Sequence, residues 1–97
     1  MPKYLTDYET VAASQSDQSL GPSGATGNIL HRLVVTVATS ATGTVSIKDG
    51  SGSAITITAA NTPIGVYSVD IGARSTSGAW KVTTGAGATV LAVGAFT

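Results

Sequence analysis

The sequence predicts an all-β domain: a small, jelly-roll-like β-sandwich carrying an extended N-terminal arm. Three observations point there. After Ile29 the apolar residues come in short β-branched runs that alternate with Thr, Ser and Ala, the period of a strand buried on one face. Gly, Pro, Asn and Asp interrupt those runs at intervals of about 8–16 residues, the spacing of a sandwich or small barrel. No segment after residue 29 is long enough for the crossover helices that parallel strands require.

The division read from composition is an arm and loop over residues 1–28 and a sandwich over residues 29–97. Residues 1–12 carry Lys3, Asp7 and Glu9 and two of the three tyrosines, too short and polar a stretch to fold alone. It reads as an arm that docks on its own domain or on a neighbour. Residues 13–28 are rich in Ser and Gly, with turns marked by Gly21-Pro22 and Gly24.

Six strands follow. Leu33, Val35 and Val37 alternate with Val34, Thr36 and Ala38, a strand buried on one face and partly covered on the other. Thr42-Gly43 turns the chain into Val45 and Ile47, which alternate with Thr44, Ser46 and Lys48. Asp49-Gly50-Ser51-Gly52 is a hairpin signal, because Gly reaches positive φ without a steric penalty. Ile55 and Ile57 return, Asn61-Thr62-Pro63 breaks the strand, and Tyr67, Val69 and Ile71 form the fourth. Trp80 and Val82 form the fifth after the Arg74–Gly78 loop, and Val90 to Phe96 the sixth after Gly85-Ala86-Gly87. The expected core is Leu33, Val35, Val37, Val45, Ile47, Ile55, Ile57, Val69, Ile71, Trp80, Val82 and Val90.

Charge is the unusual feature of the composition. The 97 residues include five Lys or Arg and five Asp or Glu, 10% of the chain, against 42% apolar. Ordinary domains are about 25% charged. A surface this sparsely charged is poorly defended against association, so the chain reads as a subunit covered by copies of itself or by a larger partner. The basic residues Lys3, Arg32, Lys48, Arg74 and Lys81 are scattered, which argues against nucleic acid as a partner. No apolar run approaches the ~20 residues that span a bilayer, and the N-terminus lacks the apolar stretch of a signal peptide. Synthesis in a cytoplasm and no membrane partner are the expectations. The absence of Cys removes disulfides and thiolate metal sites.

Little here assembles chemistry. His31 is the only histidine, at the start of a strand. As a general base it would need a nucleophile and an acid within reach, and the plainer reading is a partly exposed strand residue. Asp49–Gly52 lacks the oxygen donors and terminal Glu of a calcium loop. Gly85-Ala86-Gly87-Ala88 lacks the Lys of a phosphate loop. Trp80 reads as core rather than as a sugar platform, since one buried aromatic outweighs any other side chain in a core this thin. No catalytic, cofactor-binding or metal-binding residue is assigned, and neither a cofactor nor a small-molecule substrate is expected. The residues expected to touch a partner surface are Tyr4, Leu5, Tyr8 and Val11 of the arm; those expected between subunits are His31, Arg74 and Lys81.

The stretch from Ile71 through Arg74-Ser75-Thr76-Ser77-Gly78-Ala79-Trp80-Lys81 to Gly85 resembles a segment of small virion proteins of tailed bacteriophages. Val45–Thr56 and Ala13–Gln18 resemble them in the same way, so the likeness runs over most of residues 11–97. It implies a structural protein of the phage particle, most simply a capsid decoration (cement) protein. Such proteins are small and β-rich, commonly form trimers and clamp adjacent capsid subunits. The implied partners are the major capsid protein and two further copies in a homotrimer, and the implied location is the outer capsid surface after synthesis in the host cytoplasm. The alternative is a head-fibre, neck or tail module that reads a host glycan, which requires Tyr4, Tyr8, Tyr67 and Trp80 to gather on one accessible face.

Overall fold

The computed structural model describes residues 7–21 and 26–96. Among them it has eight strands and no helix: β1 (Asp7–Val11), β2 (Gln18–Ser19), β3 (Ile29–Val37), β4 (Val45–Asp49), β5 (Ile55–Thr58), β6 (Gly65–Arg74), β7 (Trp80–Thr83) and β8 (Ala88–Ala95). They form two four-stranded antiparallel sheets, β1-β8-β3-β6 and β2-β7-β4-β5. Strand 1 pairs with 8, 2 with 7, 3 with 6 and 4 with 5. The chain is thus one long hairpin with its bend between β4 and β5, wound up so that successive pairs fall in alternate sheets. That is the eight-stranded jelly roll, and it bears out the fold class read from the sequence.

The alternation from Leu33 onward sets the core. Leu33, Val35 and Val37 of β3, Val45 and Ile47 of β4, Trp80 and Val82 of β7 and Val90 of β8 all point between the sheets and are buried. Leu30, Ala88, Ala92 and Phe96 join them. The indole Nε1 of Trp80 donates to the Asn28 carbonyl at 3.1 Å, so the largest core side chain keeps its polar end satisfied.

The boundary placed at residue 28 does not hold. Residues 7–20 supply two strands, and Val11 and Leu20 lie in the core at 1% and 0% exposure. The physical reason is that β8 and β7 would otherwise be sheet edges; β1 and β2 cover them and satisfy their main chains. The link between β1 and β2 is fastened along the way. Ser14 N–H donates to the Gly85 carbonyl at 3.1 Å, and Thr84 N–H donates to the Gln15 carbonyl at 2.9 Å. Residues 1–6, the outer part of the expected arm, lie outside the described residues.

Four expected core residues are not buried: Ile55 is 52% exposed, and Ile57, Val69 and Ile71 are half-buried. All four lie on β5 or β6, the sheet edges at the side of the sandwich away from β1 and β2. Their alternation is correct for an inward face, but among the described residues no further strand closes that side.

Candidate interaction face

The two outward faces differ in chemistry. On the β2-β7-β4-β5 sheet, Lys48 and Lys81 stand directly opposite each other on β4 and β7. Like charges in that position repel, and Asp17 answers them. Its carboxylate accepts from Lys48 Nζ at 3.2 Å and from the Thr83 hydroxyl at 3.1 Å, while its own N–H donates to Thr83 Oγ1 at 2.9 Å. The Lys48 bond, then the Thr83 bond, holds the Asp17 carboxyl below its ordinary value of 3.8. This face is polar and suited to water.

The outward face of the β1-β8-β3-β6 sheet is nearly uncharged. Its cross-strand rows follow from the register: Tyr8–Val93–Arg32–Asp70, then Thr10–Leu91–Val34–Ser68, then Thr89–Thr36–Val66. Tyr8 is 72% and Val66 67% exposed; Val34, Leu91 and Val93 are half-buried between them. Ile64, also exposed, stands just before β6. The charges on these rows are Arg32 and Asp70, joined at 3.1 Å across β3 and β6. An exposed pair of this kind contributes roughly 0–1 kcal/mol; its effect is to cancel charge on the face. A bulge in β3 between Leu30 and Arg32 turns both His31 and Arg32 outward at one end of the sheet.

The residues expected to meet a partner separate accordingly. Tyr8 is on the uncharged face and is its most exposed large apolar group. Val11, by contrast, is a core residue and has no surface to offer, because β1 pairs with β8 and turns it inward. Tyr4 and Leu5 lie outside the described residues. His31 and Arg74 are exposed near the bulged end of the same sheet, where Ile29 pairs with Arg74. Lys81 is half-buried on the opposite sheet and does not join them. The exposed Val66 and Ile64 were missed; alternation assigns Val66 to a face but does not say whether that face is covered.

Among the described residues the aromatic groups of the glycan alternative do not gather on one face; Tyr4 lies outside those residues. Trp80 is 4% exposed in the core. Tyr8 is on β1 and Tyr67 on β6, the two opposite edges of one sheet, and the Tyr67 hydroxyl donates to the Pro63 carbonyl at 2.6 Å. Among the described residues no group of three or more His, Cys, Asp or Glu could hold a metal ion.

Asp49 organises the end of the sandwich. Its carboxylate accepts from the N–H groups of Ser77 at 3.0 Å and Thr76 at 2.8 Å, and from the Thr76 hydroxyl at 2.8 Å. The Ser77 and Thr76 main-chain bonds hold this carboxyl below 3.8. Every contact of Asp49 is internal to the fold, tying the β4–β5 hairpin to the β6–β7 loop. No family model, curated protein or solved structure matches the chain.

Proposed function

We propose that this chain is a non-enzymatic structural protein of a bacteriophage particle, a decoration subunit that binds the outer surface of the head and reinforces it. One observation carries the reading: a four-stranded face whose exposed groups are Tyr8 and Val66 among Thr, Ser and half-buried Val and Leu, with Arg32 and Asp70 paired to each other and the remaining cation, Arg74, set at its bulged end. Such a face loses little by desolvation and gains by covering apolar area, at about 25 cal/mol per Å². The opposite face, with Lys48, Lys81 and Asp17, stays toward water. Repetition over a shell multiplies a modest contact into firm attachment. Jelly rolls recur in viral capsid and lectin domains, which is support by fold analogy alone.

The test is binding of the purified protein to isolated heads, with the copy number in intact particles read by mass spectrometry. Copies comparable in number with the shell subunits and a Tyr8→Lys variant that stays folded but binds about tenfold more weakly, a loss of ~1.4 kcal/mol, are expected. Wild-type protein that ignores heads, or a handful of copies per particle, overturns the reading.

A further inference from the structure

The sandwich is closed on one side and open on the other. On the closed side Glu9 of β1 bridges the sheets: one carboxylate oxygen accepts from Gln18 Nε2 of β2 at 2.8 Å, the other from Gly21 N–H at 2.8 Å. Gln18 Nε2 also donates to the Thr10 carbonyl at 3.3 Å. Val11 and Leu20 behind this lacing are fully buried. On the other side stand β6 and β5, joined by the short link 59–64. Here Tyr67, Val69 and Ile71 point inward yet remain half-exposed, and Ile55 is mostly in water. The core runs out to solvent at this edge.

The edge itself is unguarded. Natural edge strands are kept short, bulged, or marked with Lys, Pro or inward charge to prevent pairing with another strand. β2 has two residues and β5 four, and β1 carries Asp7 and Glu9. β6 has ten residues and neither Lys nor Pro, and its two charges, Asp70 and Arg74, face outward rather than into the seam as Asp7 and Glu9 do on β1. Its register against β3 is unbroken from Gly65 to Val69, opposite Val37 to Leu33. The irregularity comes only near Gly72, which has φ +63°.

We propose that β6 pairs antiparallel with β6 of a second copy, about a two-fold axis through Ser68. The occupant is a second copy because the edge complements itself in this register. Tyr67 falls opposite Val69 of the other copy, twice by symmetry, and aromatic–β-branched cross-strand pairs are among the favourable ones. Those pairs lie on the inward side and close the open seam of both molecules. Asp70 falls opposite Val66, so no like charges meet, and each Asp70 is already paired with its own Arg32. A two-fold axis through Asp70 would oppose Asp70 to itself; one through Tyr67 would set Gly65 against Val69. The contact is isologous and closes at two. It stands in place of the three-fold assembly implied by the resemblance, and it needs no phage head.

Sedimentation of the full chain with single-cysteine crosslinking tests this, since the chain has no Cys of its own. Opposite residues of an antiparallel pair lie about 4.5–5.5 Å apart at Cα, within disulfide reach. Wild type is expected to sediment as a dimer and Ser68→Cys to crosslink between copies on mild oxidation, while Tyr8→Cys on the far edge stays uncrosslinked. Val69→Lys, which places a charge in the seam, is expected to be monomeric with an unchanged circular dichroism spectrum. A wild-type monomer, which would leave the edge to a strand of some other protein, overturns the proposal. So does a trimer, or crosslinking of Tyr8→Cys as fast as Ser68→Cys. Should Val69→Lys fail to fold, the Ser68→Cys and Tyr8→Cys comparison decides alone, because both positions are exposed.

Discussion

Asp49 ends β4 and, through one carboxylate, fixes the backbone of Thr76 and Ser77 across the molecule. Next to it Gly50 sits at φ +56°, with its Cα so close to the Ser77 carbonyl group that an added Cβ would lie 2.3 Å from the carbonyl carbon. Only glycine fits there, so the dipeptide Asp49-Gly50 serves both the hairpin and the docking of the β6–β7 loop. The hairpin was legible in the sequence because Asp-Gly is a local signal. The docking was not, because the N–H groups that Asp49 binds are 27 and 28 residues away. The titration of this carboxyl follows from the same bonds. The folded protein holds both Asp49 and Asp17 below 3.8, so each stabilises the fold above that value and ceases to as the pH falls through the depressed folded-state value. Denaturant midpoints measured from about pH 6 to about pH 2 should therefore be level at first and drop below 3.8. Asp49→Asn, which keeps an acceptor but does not titrate, should show a shallower drop. An identical acid profile for the variant would remove Asp49 from the account.

At the scale of the strand, alternation served well where both sheets continue and failed where they stop. Leu33, Val35, Val37, Val45, Ile47, Trp80, Val82 and Val90 all entered the core as expected. Ile55, Ile57, Val69 and Ile71 carry the same pattern and stay partly wet, since parity names a face and not what lies over it. The opposite error concerns β1 and β2. Asp7–Val11 and Gln18–Ser19 read as polar, and each contributes its apolar weight through a single side chain, Val11 or the neighbouring Leu20. Leu20 also donates its N–H to the Trp80 carbonyl at 2.8 Å. Leu20→Ala should accordingly destabilise the whole domain by about 2–5 kcal/mol, the range for a buried Leu whose cavity relaxes only in part. Urea unfolding checks it. A loss under about 0.5 kcal/mol, typical of a surface change, would show that this segment is an appendage after all.

The described residues form three kinds of boundary: a polar face, a sparsely charged face and an open seam. Composition leads to the expectation of a covered surface, because ten charges are few for 97 residues; the strand order shows where the sparsely charged face and the open edge lie. Association through β6 ties stability to mass action. The thermal midpoint of wild type should rise with protein concentration, and that of Val69→Lys should not; a wild-type midpoint indifferent to concentration argues against a shared β6 edge. The pairing of β1 with β8 has a mechanical consequence. Asp7 lies opposite Gly94, and its carboxylate accepts from Phe96 N–H at 3.2 Å, so the leading and trailing strands are anchored at one corner. Tension applied between these two strands would part them like a zip, rung by rung, rather than shear all their rungs together. Any tether fused to either of these strand ends would pull first on the Asp7–Phe96 contact at that corner.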